Sequence, residues 1–242
     1  MSELSSPDPQ SEENSASLQS SRGQRPEEQL LYDRLVDAII DKTLRPGQHL
    51  NEVKLAATYA VPRSRVRRVL ERLRDEAVVE IELNRGAFIS RPTIAEARDV
   101  FEARKNLEMI IVRLACARAT SADIDELRAH LTKERQVFDN LRPEMNRVAG
   151  DFHVLLAKTA GNAVLARMLT LLMRRVCLIQ SLYEKRSGVL CLVHEHERLV
   201  DLIAANDPEG AAAEALHHCA HIESSLDLTE RRRTEIDIYE LP

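Results

Sequence analysis

The chain has 242 residues, of which 44% are hydrophobic but only 3% aromatic, with no Trp. Leu, Ala, Val, Ile and Arg dominate, which favours helices over a β-sandwich. A net charge of −5 excludes a uniformly basic nucleic-acid binder, so any such role must come from local charge.

Met1 to about Glu27 is rich in Ser, Glu, Gln and Pro and can bury almost nothing, which predicts a disordered tail over residues 1–27. It lacks the basic-then-apolar pattern of a secretory leader. No apolar run approaches the length of a membrane span. The expectation is a soluble cytoplasmic protein with no membrane partner. Cys116, Cys177, Cys191 and Cys219 form no CxxC pair and sit in apolar helical text. They read as buried free thiols in a reducing compartment.

The first folded block spans residues 28–92. Between Leu30 and Pro92, twelve Lys and Arg face nine Asp and Glu, so a basic module sits on an acidic body. Leu31, Leu35, Val36, Ile39 and Ile40 recur at helical spacing, and Arg45-Pro46-Gly47 stops that helix. Asn51 caps a short second helix carrying Val53, Leu55, Ala56 and Tyr59. Val61-Pro62 forms a tight turn, since Pro62 cannot continue the helix. A third helix runs from Arg63 to about Arg74, with Val66, Val69, Leu70 and Leu73 as its apolar stripe. Val78–Glu82 and Ala87–Ser90 read as strands joined by Asn84-Arg85-Gly86. Three helices followed by a hairpin make a winged helix-turn-helix.

Arg63, Arg65, Arg67, Arg68, Arg72 and Arg74 crowd the third helix. The planar guanidinium fork matches guanine O6 and N7 or grips phosphate, and a recognition helix enters the groove by its N-terminal end. Arg63, Ser64, Arg65 and Arg67 are therefore the candidate DNA contacts, with Arg68 toward the backbone and Arg85-Gly86 at the wing tip. Arg72 and Arg74 read as solvated surface. The competing reading is an ordinary arginine face balanced by Glu71, Asp75 and Glu76.

Pro46-Gly47, Glu52, Leu55-Ala56, Val61, Arg63, Val66, Arg67, Leu70 and Arg85-Gly86 together resemble the DNA-binding domain of the GntR family of bacterial regulators. The chain departs from that pattern at Pro62, Arg68 and Val69. The resemblance implies a transcriptional regulator, typically a repressor of a catabolic operon, binding a pseudo-palindromic operator as a homodimer.

From Thr93 the text is almost purely helical, with helices at about 94–119, 121–140, 143–159, 163–185, 188–206 and 208–227. The fold class is mainly α: the winged helix, then an all-helical bundle over 93–228, then a charged tail over 229–242. This block resembles the FCD-type effector-binding domain of the FadR-like subfamily. Arg104 and Glu108 match its R-x-x-x-E pattern and share a helix face with Val100, Leu107 and Ile111. They read either as an internal ion pair or as a site where Arg104 takes a carboxylate effector. The resemblance also implies a divalent ion, Zn, Ni or similar, held by three histidines and one aspartate. Here His153, His196 and His218 match, with His221 as rival for the third place. Ala149 stands where the aspartate is expected, Asp151 falls on the wrong helix face, and Asn146 is a weak substitute. The open alternative is a metal-free pocket whose histidines bind effector directly. Outside this reading stand a metal-dependent hydrolase built on the same histidines with Glu195, and an effector-free architectural DNA-binding protein.

Overall fold

The computed structural model describes residues 26–140, 144–185 and 193–229. Among these it contains nine helices and one three-stranded sheet. The expected tails, Cys191 and the start predicted for the helix at 188–206 lie wholly or largely outside the described residues.

Helix α1 (Pro26–Ile40) opens on Glu27 and Glu28, acids that favour a helix N-terminus. Strand β1 (His49–Leu50) follows, then α2 (Glu52–Thr58), whose first amides Val53 and Lys54 donate to the Asn51 side chain at 3.0 Å. Ala60 adopts φ +52°, turning the chain out of α2, and Val61 is buried beneath the turn. Helix α3 (Arg63–Asp75) starts where Pro62 ends that turn and buries Val66, Val69, Leu70 and Leu73, the stripe expected from the sequence.

Strands β2 (Val79–Glu82) and β3 (Gly86–Ile89) pair antiparallel with Glu82 opposite Gly86. Asn84 at φ +60° and Gly86 at φ +96° make the turn. A Cβ at Gly86 would lie 2.9 Å from His49 Nε2, so the wing needs glycine for space as well as conformation. The sheet order is β1-β3-β2. Two-residue β1 had no periodicity to reveal it; it exists because His49 and Leu50 pair with Phe88 and Ala87.

The second block comprises α4 (Ile94–Arg118), α5 (Ser121–Asp139), α6 (Met145–Thr159), α7 (Ala163–Tyr183), α8 (Val193–Ala204) and α9 (Pro208–Ser224). Capping boxes start α4 (Thr93 with Glu96) and α5 (Thr120 with Asp123). Asn162 caps α7, and Asp207 caps α9 with Pro208 in its first turn. Two expected ends are corrected. Helix α7 stops at Tyr183 and α9 at Ser224, because Glu184 and Leu226 leave the helices to form a β-bridge with each other.

Ile111, Val112, Ala115, Phe152, Leu156, Leu199 and Val200 centre the bundle's core. A separate core of Leu31, Leu35, Ile39, Val66, Leu70, Leu73 and Ile89 fills the winged helix, and Leu178 of α7 belongs to it. Polar ties reinforce that contact. Arg147 of α6 donates to Asp37 and Asp41 at 2.6 Å each. Arg174 of α7 donates to the Tyr32 hydroxyl and to Glu76, and Lys42 pairs with Glu184 at 2.7 Å.

Candidate DNA interface and histidine centre

The N-terminal half of α3 presents Arg63, Ser64, Arg67 and Arg68 to solvent. Their opposite side is fixed by the buried stripe, so the face is set by helical period. Each arginine of this half has an acidic neighbour. Glu52 of α2 accepts from Arg67 at 3.0 Å and from Arg63 at 3.4 Å. Arg68 forks onto Glu28 at 2.9 and 3.0 Å, and Arg65 reaches Glu27 at 3.3 Å. These partners are on α1 and α2; of the acids the sequence pointed to, Glu76 pairs with Arg72 at 3.4 Å and Asp75 with Arg74 at 2.8 Å, at the other end of the helix.

Arg72 corrects the expectation of a solvated side chain. Its guanidinium lies 3.4 Å from the Tyr32 ring centroid and donates to Gln29 at 3.1 Å. An arginine stacked this closely on a core tyrosine is a structural element of the α1–α3 contact. Arg74 remains exposed against Asp75. At the wing, Arg85 is exposed, bonds Glu82 and lies 5.4 Å from the Phe88 ring.

In the bundle, three elements bring His153 (α6), His196 (α8) and His218 (α9) together, all buried. Each imidazole rests its Nδ1 on a buried carboxylate. His153 donates to Glu108 at 2.8 Å, His196 to Glu134 at 3.0 Å and His218 to Glu195 at 2.7 Å. A ring that donates through Nδ1 presents a lone pair at Nε2. The Nε2 atoms of His196 and His218 then face each other at 3.4 Å. Two lone pairs at that distance repel unless a cation or proton lies between them.

The charge states agree with this tautomer. Burial pushes the His153 imidazole down to about 4 and the His218 imidazole down to about 3, so both are neutral near pH 7. Burial pushes the Glu108 carboxyl up, but His153 and the Arg104 guanidinium outweigh it and hold the acid well below its ordinary value. Burial also pushes Glu195 up, and hydrogen bonds from His218 and His221 overcome it to leave the carboxyl at about 2. Phe152 stacks on His196 with centroids 4.1 Å apart and holds the ring in place.

Arg104 and Glu108 do form the ion pair that one reading expected, at 2.6 Å. Arg104 also reaches His153 Nε2 at 3.0 Å and lines a cavity with Asn146, Ala149, Gln180 and His218. The pair and the cavity wall are therefore one feature. His221 is outside the triad: its Nδ1 bonds the other oxygen of Glu195 at 2.7 Å. Ala149 brings no acid to the cavity. Asp151 stands two residues from His153 at an exposed position, where partial desolvation raises its carboxyl.

The donor set fits a divalent cation. Imidazoles backed by carboxylates are the arrangement that orients histidine ligands, and an ion here would take over the His153 Nε2 lone pair that Arg104 holds at 3.0 Å. What sequence reasoning missed is that carboxylates back the imidazoles, and Glu134 altogether. Its only signal was a charged residue in the buried register of α5, with Leu127, Leu131 and Val137.

A basic helix-turn-helix with a wing, tied to a helical bundle with a cavity beside its histidines, defines a DNA-binding transcriptional regulator. Residues 28–89 match the gntR family of bacterial regulatory proteins and residues 99–221 match the FCD domain. The chain belongs to the GntR family and carries an FCD domain.

Among its relatives is the Nta operon transcriptional regulator of Aminobacter aminovorans, 31% identical over 195 residues, covering 79% of this chain and 91% of that one. LutR of Bacillus subtilis is 28% identical over 76% of this chain and 93% of its own. NanR of Escherichia coli, named a transcriptional repressor, is 27% identical over 84% of this chain and 88% of its own. Among solved structures, E. coli McbR/YncC superposes with a TM-score of 0.74 at 18% identity, covering 83% of this chain and 97% of that one. A GntR regulator from Rhodococcus gives 0.70 at 23%, covering 81% and 95%. These likenesses share the fold.

Proposed function

We propose that the chain is a ligand-responsive repressor that binds a pseudo-palindromic operator as a homodimer, with a small carboxylate as effector. Arg63, Ser64, Arg65 and Arg67 read the groove, Arg68 grips the backbone, and Arg85-Gly86 carry the wing contact. His153, His196 and His218 hold one divalent ion, which would supply a fixed positive centre for the effector's carboxylate. Arg104, kept in place by Glu108, adds a second positive group on the same cavity wall.

The observation that carries this reading is the double use of α6 and α7. Helix α6 lines the cavity with Asn146 and His153 and grips the winged helix through Arg147. Helix α7 lines it with Cys177 and Gln180 and buries Leu178 in the winged-helix core. A ligand that shifts either helix shifts the DNA-binding domain with it. Control of an operon is supported by the name of the Aminobacter relative, and the repressor reading by the name of NanR.

The test is binding to DNA from upstream of the chain's own gene, at physiological salt, by fluorescence anisotropy. Specific binding at least a thousandfold tighter than to random DNA is expected. Equal affinity for both would overturn the reading. Elemental analysis of untagged protein tests the ion: the wild type should carry Zn or Ni at the buried triad, and His196→Ala one ion fewer per chain. No bound metal, with no rise in melting temperature on adding either ion, would remove it from the proposal.

A further inference from the structure

Helix α9 carries three histidines in five residues, and they serve two faces. His218 turns inward to the buried triad. His217 and His221, four residues apart, share the outward face, with ring centroids 6.1 Å apart. His217 is 67% exposed and His221 24%. Glu195 of α8 stands between the two faces, itself buried. One of its oxygens, Oε2, accepts from His218 Nδ1 at 2.7 Å. The other, Oε1, accepts from His221 Nδ1 at 2.7 Å and lies 3.6 Å from His217 Nε2.

We propose that His217, His221 and Glu195 form a second divalent-cation site, facing solvent, that takes borderline ions such as Zn²⁺, Ni²⁺ or Cu²⁺ and shares Glu195 with the buried histidine centre. Two imidazoles and one carboxylate are the donor chemistry of such ions, and water completes the shell. Ligand bonds of about 2.0–2.2 Å in a tetrahedron place donor atoms about 3.3 Å apart. The observed separations from Oε1, 2.7 and 3.6 Å, lie on either side of that value, so the site closes by small side-chain rotations. All three donor atoms already lie within 4.8 Å of one another.

On binding, the ion replaces the proton shared by His221 Nδ1 and Glu195 Oε1. The neutral ring has a single N–H, so its proton moves from Nδ1 to Nε2 through solvent, and the ring frees the Nδ1 lone pair with no net loss of a proton. Glu195 continues to accept from His218 through Oε2, so the outer ion draws charge from the carboxylate that orients the third imidazole of the inner triad. The two sites are thereby coupled through one side chain. The outer site needs no ion in the inner one, because its ligands reach the triad only through Glu195.

The test uses the full chain, untagged and stripped with chelator, titrated with zinc chloride by calorimetry, with the zinc-to-protein ratio read after dialysis. His217→Ala/His221→Ala should bind one ion fewer per chain than wild type, with an unchanged circular dichroism spectrum. His153→Ala should keep that ion, which separates failure of the inner site from failure of this one. His217→Ala alone leaves the His221–Glu195 hydrogen bond intact and should weaken the outer ion at least tenfold. Wild-type stoichiometry and affinity in both His217 variants would overturn the proposal.

Discussion

Arg147 donates to the Asp41 carboxylate at 2.6 Å, across the boundary between the helical bundle and the winged helix. Asn146, its neighbour in sequence, lines the cavity. One peptide unit thus separates a residue that meets the cavity from one that holds the DNA-binding domain. Arg147→Ala should leave both domains folded but loosen their contact. Hydrogen exchange over α1 should accelerate about tenfold, the effect of losing a charged hydrogen-bonded pair. Unchanged protection there would mean that Leu178 and Arg174 hold the domains without it.

Glu52 sits under both Arg63 and Arg67, so DNA bound in the proposed way competes with a carboxylate for these arginines. Arg67→Ala should weaken operator binding by about 10- to 100-fold, the value of one good base contact. Glu52→Gln should do the opposite, tightening binding to any DNA and steepening its salt dependence. Anisotropy at several salt concentrations measures both. Weaker binding by Glu52→Gln would show instead that this acid positions the arginines for the operator.

The buried imidazoles set the response to acid. In the metal-free chain, His153 and His218 stay neutral down to about 4 and about 3, while their unfolded forms take protons near 6.5. As pH falls below that value the unfolded state binds more protons, so stability drops between about pH 7 and 4. Glu195 acts in the same direction lower down: held at about 2, it stabilises the fold above its ordinary 4.5, and that share is lost as pH falls from there. Urea midpoints with chelator at pH 7.5, 6 and 5 should decrease in that order. A flat series would contradict neutral imidazoles in the folded state.

Glu134 accepts from His196 Nδ1 and is fully buried. Glu134→Gln keeps the volume and removes the charge. Affinity of the triad for zinc, measured by chelator competition, should fall about 10- to 100-fold, the usual effect of altering a group behind a histidine ligand. Equal affinity would place the orienting role on Phe152 alone.

The helices, the winged-helix stripe and the identity of the three histidines were legible in the sequence, because helical period and capping residues such as Asn51, Thr93 and Asp207 are local signals. Spacing favoured His218 and kept His221 as its rival. Glu195 of α8 bonds both, and what separates them is burial beside His196 on a neighbouring helix, where His218 is enclosed and His221 keeps 24% of its side chain exposed. Arg72 misled for a similar reason: its partner Tyr32 is forty residues away, and spacing along α3 cannot reveal a ring supplied by α1. Strand β1 exists only through its pairing with β3, so nothing within His49–Leu50 announces it.

Leu178 is wholly buried among residues of the winged helix although it lies more than eighty positions beyond them. The DNA-binding half therefore borrows part of its interior from the helical bundle. Cut away, it would expose an apolar socket; joined to a foreign bundle, it would need a side chain of matching size at that point. Shuffling such heads among sensors is constrained by this one leucine's shape, so recombinants of this regulator should inherit α7 together with the head it completes.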